Sequence, residues 1–389
     1  MTSLSKEVLR RIRKVLPDSK MVYALHEPVF VGKELDYVSE CIKTGWVSSV
    51  GKFVDRIEAQ IAEYVGSKRA VAVVNGTAAL QISLAASGLQ AGDEVLVPTM
   101  TFVATANAVI HAGGIPHFVD TGKNNLNIDP SNVANYLEEI AIVSEGVCRN
   151  KKSGRRIFAI IPVHILGHAC QVDQFALLAE KYHLVMIEDI AEGLGTVYRG
   201  QHVGKFGKLA ALSFNGNKII TTGGGGAVIT DDDELADKIK HLTTTAKLPH
   251  RWEYVHDRVG YNFRMPNLNA ALGCAQLERM DALLAKKRIL AERYTEAFEG
   301  LSEITFYREP EECKSNYWLN AVRLTDPNMA VRDEMLQVLN DQKIQSRPMW
   351  KLMHTLPMYA ESPRADINYA TLHEAAVINI PSSPFLADS

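Results

Sequence analysis

In the stretch ALSFNGNKIITTGGGGAVIT, residues 211–230, Lys218 follows Asn215 and Asn217 and precedes four consecutive glycines. A glycine run gives up conformational entropy, and it is expected where a backbone must approach something closely or take unusual dihedral angles. A lysine amine beside such a run is a candidate for Schiff-base chemistry with a carbonyl. Asp189 closes the apolar run LVMIED, which implies a buried carboxylate that needs a cationic or proton-donating partner. An ion pair between Asp189 and Lys218 would satisfy both charges, but it would not require the glycines. Asn75-Gly76-Thr77 lies between the strand-like AVAVV and a helical stretch. The open N–H groups at that helix start suit a phosphate, and an ordinary N-cap by Asn75 or Thr77 is the plainer alternative. Phe102, in PTMTFVATA after the strand EVLVP, is placed to stack on a flat ring or to serve as a core aromatic. A lysine, a carboxylate for a ring nitrogen, a phosphate cup and a flat partner are together the requirements of pyridoxal 5'-phosphate (PLP).

Elements of alternating type must bring these residues together. From residue 70, short β-rich runs (AVAVV, EVLVP, IPHFVD, IFAIIPVH, LVMIED, LAALSF) alternate with helical stretches. That pattern predicts βαβ units, a mostly parallel sheet covered by helices, and ligands bound beyond the carboxyl ends of the strands. VGKELDYVSECIKTGW and FVDRIEAQIAEYVG read as helices ending at Gly45 and Gly66. Residues 1–24 form an N-terminal extension with a basic amphipathic helix, carrying Val8, Ile12 and Val15 on one face, expected to pack on this chain or a partner subunit. Residues 25–265 form the large α/β domain. Residues 266–389 form a smaller α+β domain, reached through one long helical segment.

The 389 residues carry 42 basic and 45 acidic side chains, for a net charge of −3. These charges are interspersed, so nucleic acid and anionic membranes are not expected partners. No apolar run approaches the ~20 residues that span a bilayer, and the N-terminus lacks the apolar segment of a secretory signal. The five cysteines include no C-x-x-C pair, which points away from zinc and disulfide frameworks and toward a cytoplasmic setting. His164 and His168 are four apart but flank Gly167 in PVHILGHA, so a loop is expected instead of a shared metal-binding face. Neither G-x-G-x-x-G after the first strand nor G-x-x-x-x-G-K is present, which disfavours dehydrogenases and P-loop NTPases.

Taken in order, NGTAALQISL, PTMTFVATANAV, EDIAEGLGT, SFNGNKIITTGGGG, GYNFRM and RPMWKLMHTLPMY resemble the DegT-like aminotransferases of nucleotide-linked keto sugars. The resemblance covers the chain from about residue 25 and implies the PLP-dependent transferase fold of type I. By that likeness Lys218 is the Schiff-base lysine and the acid/base, and Asp189 keeps the pyridine nitrogen protonated. Gly76, Thr77 and Ser213 hold the phosphate, and Phe102 and Glu192 line the cofactor. Asn262 reaches the phosphate site of a neighbouring subunit, so a homodimer is implied. Trp350, His354 and Tyr359 are implied near the nucleotide sugar, each with packing as its plainer role. Glu192 stands where many members carry His or Gln. The chain stops soon after INIPSSPFLADS, where relatives continue into a last helix.

The resemblance implies transfer of an amino group from glutamate to a UDP-linked 4-keto-6-deoxy-N-acetylhexosamine. GDP-linked 4-keto (perosamine-type) and 3-keto sugars are the alternatives within the family. A sugar 3-dehydratase of this scaffold would carry histidine in place of Lys218. A decarboxylase would need a carboxylate-binding arginine such as Arg264 or Arg347, and a non-catalytic cofactor- or sugar-binding regulator would not need Lys218 and Asp189 intact.

Overall fold

In the computed structural model, residues 2–17 and 22–388 are described. A seven-stranded sheet forms the centre: β1 (Arg69–Val73), β2 (Glu94–Pro98), β3 (Ile115–Val119), β4 (Ile157–Ile160), β5 (Val185–Asp189), β6 (Leu209–Ser213) and β7 (Gly226–Thr230). Their order across the sheet is β1-β7-β6-β5-β4-β2-β3. The neighbours from β6 through β3 pair in parallel, and β7 runs antiparallel to both β1 and β6. β1 to β6 fall on the six runs expected from the sequence. β7, inside GGGGAVIT, was absent from that reading because its first residue belongs to the glycine run. Strands buried on both faces lose period-2 alternation and read as continuous apolar runs, as the fully buried EVLVP does.

Apolar clusters cover both faces of the sheet. One includes Ile57, Ile61, Phe175, Ile190 and Cys274, and the other Leu80, Ile82, Val97, Val109 and Ile239. Glu34–Thr44 and Lys52–Val65 are helical and end at Gly45 (φ +74°) and Gly66 (φ +79°), both left-handed. The long helical segment expected after residue 265 is two helices, Asn267–Leu277 and Met280–Phe298. The first packs on the two early helices, where Asn267 accepts from the N–H of Phe53 (3.1 Å) and donates to the carbonyl of Trp46 (2.7 Å).

A second, antiparallel sheet holds β8 (Ile304–Phe306), β9 (Asn320–Leu324), β10 (Arg347–Pro348) and β11 (Val377–Ile380) in the order β8-β9-β11-β10. The helix Ser3–Val15 lays its apolar face on this unit. Val8, Leu9, Ile12 and Val15 share one core with Leu290, Tyr294, Met335 and Leu339. The helix is thus packed on its own chain. No helix among the described residues is long and apolar enough to cross a membrane.

Ile12 has no exposed surface, so Ile12→Ala removes methyl groups from a packed interface. The expected cost is ~2–5 kcal/mol, read as a lower thermal midpoint with kcat unchanged. An unshifted midpoint would mean that the helix is not docked in solution.

Candidate functional site

The carboxyl edge of the central sheet gathers the chemistry. Asp189 is the last residue of β5, Ser213 the last of β6, Asn75-Gly76-Thr77 follow β1 by two residues, and Phe102 follows β2. β7 runs the opposite way, so its first residue, Gly226, lies at this same edge, paired with both Val73 and Ser213. A cavity of about 330 Å³ opens there, lined by Gly76, Thr77, Phe102, Asp189, Glu192, Ser213, Lys218 and Trp350 among others.

The glycines answer to this crowding. Gly223 is left-handed at φ +77°, Gly224 and Gly225 line the cavity, and Gly226 is pressed between two neighbouring strands. A Cβ at Gly226 would lie 2.6 Å from the carbonyl carbon of Asn75 and 2.7 Å from the oxygen of Leu212. At Gly76, a Cβ would lie 2.8 Å from that of Ser213. The run therefore lets the chain leave the edge past Lys218 and return as β7 without filling the cavity.

The helix Gly76–Ser87 starts at the cavity. Asn75 caps it by accepting from the N–H of Ala78 at 2.8 Å, and its carbonyl accepts from the N–H of Ala79 at 3.1 Å. Gly76 and Thr77, the first two helical residues, have no intrahelical acceptor for their N–H groups, and both line the cavity. The positive end of the helix thus faces the space that Ser213 borders, a cradle for a phosphate group.

Asp189 is 3% exposed. Its Oδ2 accepts from the Thr105 hydroxyl at 2.8 Å, and its Oδ1 from the N–H of Ala191 at 3.1 Å. Burial raises its pKa above the ordinary value, against the opposing effects of those two donors and of the Lys218 charge. A carboxylate in this condition is best stabilised by a cation brought to it, as a protonated pyridine nitrogen would be.

Lys218 Nζ stands 3.5 Å from Glu192 Oε1 and 4.1 Å from the centroid of the Trp318 ring. Glu192 is 5% exposed, and its Oε2 accepts from the N–H of Leu166 at 2.8 Å. Burial pushes the Glu192 carboxyl up to about 7, with the charge of Lys218 pulling the other way. Glu192 is therefore poised to hold or release a proton near neutrality beside the lysine amine.

Phe102 is 52% exposed at the cavity, edge-on to Trp350 with ring centroids 6.5 Å apart. His354, Tyr359 and Asn262, expected at the site from the sequence, lie off the cavity. His354 is held by Thr99 through Nδ1 at 2.6 Å. Tyr359 is buried, edge-on to Phe118 and hydrogen-bonded through its hydroxyl to Asn107. Asn262 is on the surface, where it accepts from Nε (3.0 Å) and Nη2 (2.9 Å) of Arg264. Arg347 bonds Asn340 and the carbonyl of Ser346 away from the cavity. His164 pairs with Glu188 at 3.2 Å, and His168 packs against Tyr307 and Tyr317.

Thr105 and Trp318 are contributors absent from the sequence reading. Thr105 sits one helical step past Phe102, a signal available in TFVAT once that helix start is fixed. Trp318 arrives from the smaller unit, a hundred residues beyond Lys218 in sequence, and only the fold could reveal it.

The residues fit PLP: a cradle for the phosphate, a buried carboxylate for the ring nitrogen, and a lysine between them. Residues 30–389 match the model of the DegT/DnrJ/EryC1/StrS aminotransferase family. The chain belongs to this family. Family members use PLP, and this protein is a PLP-dependent aminotransferase with the type I α/β fold. It is 37% identical over 367 residues to the GDP-perosamine synthase of Vibrio cholerae, covering 94% of this chain and 95% of the relative. Among solved structures, it is similar to Helicobacter pylori PseC, an aminotransferase involved in the biosynthesis of pseudoaminic acid, at 26% identity and a TM-score of 0.83, with 92% and 93% of the two chains covered. It is similar also to DesI, determined in the presence of its TDP-sugar product, at 26% identity and a TM-score of 0.82, with 93% and 88% covered.

Two outcomes are expected. Glu192→Gln removes a carboxyl whose folded pKa, about 7, is raised above its ordinary 4.5. Ionising that group destabilises the fold progressively as pH rises from about 4.5 to about 7, and the penalty is absent below that window. The thermal midpoint of the cofactor-free variant, relative to wild type, should therefore rise across it; a flat difference would contradict the assignment. Gly76→Ala should weaken PLP about tenfold or more, on the scale of one lost charge-assisted hydrogen bond, in an absorbance titration; unchanged affinity would move the phosphate elsewhere.

Proposed function

We propose that this protein transfers an amino group from glutamate to a GDP-linked 4-keto sugar of the perosamine type. The observation that carries the choice of nucleotide is the 37% identity, over nearly the full length of both chains, to the GDP-perosamine synthase of Vibrio cholerae. This likeness favours the GDP-linked alternative over the UDP-linked N-acetylhexosamine expected from the motifs. A nucleotide-linked substrate is also consistent with the likeness to DesI.

In this reading Gly76, Thr77 and Ser213 bind the phosphate, and Asp189, itself held by Thr105 and Ala191, keeps the pyridine nitrogen protonated and orients the ring. Phe102 covers one face of the ring. When bound, PLP supplies an electron sink that makes removal of a carbon-bound proton feasible at neutral pH. Lys218 moves that proton between carbon centres, and Glu192, 3.5 Å away, takes up or returns the proton that keeps Lys218 in the required state. Asp189, Glu192 and Lys218 are all buried, which strengthens the electrostatic interactions among them.

Two copies are needed in this proposal. Phe30, Val31, Leu35, Ile42, Trp46 and Val50 on the early helices and loops, with Trp252, Tyr254 and Val259 on the segment preceding Asn262, are large apolar side chains between 52% and 88% exposed. So much apolar surface supports an interface between copies, through which Asn262 would reach the cavity of its partner. His354 and Tyr359, being committed to Thr99 and Asn107, would shape the sugar pocket from behind, leaving Trp350 as the contact. The five cysteines are free and buried, which suits the reducing cytoplasm proposed as the setting. Neither Arg264 nor Arg347 lines the cavity, which weakens the decarboxylase alternative.

The test is a panel of GDP- and UDP-linked 4-keto-6-deoxy sugars with glutamate as donor. The proposal expects kcat/KM for the GDP substrate to exceed that for the UDP N-acetylhexosamine by about tenfold or more. The reverse preference would restore the UDP reading.

A further inference from the structure

Lys287 is a lysine with no exposed surface, on the helix Met280–Phe298. Its Nζ donates to the carbonyl of Trp318 at 2.7 Å and to that of Ser382, and no carboxylate forms an ion pair with it among the described residues. Burial drives its pKa well below the ordinary value. A buried amine bonded only to carbonyls is a costly way to fasten a helix, so what it fastens is informative. Trp318 is 4% exposed. Its ring nitrogen donates to the carbonyl of Asn217 at 2.6 Å, and its N–H donates to Asn316 Oδ1 at 2.8 Å. Asn316 in turn donates to the carbonyls of Glu192 (2.7 Å) and Leu194 (2.8 Å). Trp318 is thereby tied through its indole to the residue before Lys218 and through its backbone to the turn after β5 that carries Glu192, with its ring 4.1 Å from Lys218 Nζ.

We propose that the Trp318 ring is the seat of the Lys218 ammonium whenever that nitrogen is not bonded to the cofactor, and that Lys287 is a positioning residue that fixes the seat. The proposal rests on the transaminase reading for its role in turnover, since Lys218 must be freed each time the amino group resides on the cofactor. Linking Lys218 forms a carbon–nitrogen double bond to the cofactor aldehyde; the aldehyde oxygen leaves as water with two of the three ammonium protons, and the third proton passes to the Glu192 carboxylate 3.5 Å away. The charge that faces the ring is then gone from that position. A cation over an aromatic face is stabilised only while it is a cation, so the seat favours the state with the lysine free.

Two measurements test this. In cofactor-free protein, trace labelling with acetic anhydride compares Lys218 with the exposed Lys152 as internal standard. Trp318→Leu should raise the relative labelling of Lys218 about fivefold, Trp318→Phe less, and Lys287→Met should raise it without adding to Trp318→Leu in the double variant. In cofactor-loaded protein, the spectroscopic equilibrium between glutamate and its keto acid should shift about fivefold toward the lysine-linked form in Trp318→Leu. It should shift the same way in Lys287→Met, again without further effect in the double variant. A fastening that was merely structural would lower the melting temperature without moving either ratio.

Labelling within twofold of wild type in Trp318→Leu, or effects of Lys287 and Trp318 that multiply, would overturn the proposal. If Lys287→Met does not fold, Lys287→Gln with the same two readouts replaces it. Failure of the wild type to react with glutamate would sink the functional reading, while the labelling ratio would still judge the seat.

Discussion

The burial of Asp189 is the constraint around which the site is built. A carboxylate 3% exposed at the end of a central strand cannot remain ionised at low cost unless donors and a cation surround it. The chain supplies two donors, Thr105 and Ala191, and leaves the remaining side open to a cavity. Everything else at the edge is arranged about that opening: the uncovered start of the helix Gly76–Ser87 for an anion, and Lys218 for a covalent bond. A ligand that is cationic at one atom, anionic at another and electrophilic at a third satisfies all of them together, and PLP is such a ligand.

The antiparallel strand β7 is what allows this density of function. A parallel strand following β6 would carry the chain away from the edge through a crossover helix. By turning back at once, the chain keeps Lys218 at the edge and threads its backbone between Asn75 and Leu212, where only glycine fits. The same economy operates on the other side, where Asn316 and Trp318 bring the smaller unit against both Glu192 and the residue preceding Lys218. The cavity is therefore lined by parts of the chain far apart in sequence, from Asn75 to Trp350.

How much of this was legible beforehand follows from physical range. The six parallel strands were legible because full burial makes them continuous apolar runs, and the edge residues because each follows a strand directly. Asp189, Gly76, Thr77, Phe102, Ser213, Glu192 and Lys218 were read from that placement and from family motifs, and the fold brings all of them to one cavity. Trp318 and Asn316 were not legible, since their meaning depends on long-range packing that leaves no local period. Tyr359 and His354 were read from a motif as substrate contacts. Their side chains are instead engaged with Asn107 and Thr99, partners the motif does not contain. The nucleotide preference lies in variable loops, and there overall likeness to relatives was the better guide.

The most direct test of the central claim is the absorbance spectrum of the purified protein with PLP, recorded before and after glutamate, alongside Lys218→Ala. The account predicts a visible band in the wild type that borohydride fixes to Lys218 and that glutamate converts to the shorter-wavelength amine form, with no fixable band in the variant. A wild type that stays colourless with added PLP, or a variant whose cofactor is still fixed by borohydride at another lysine, would contradict it.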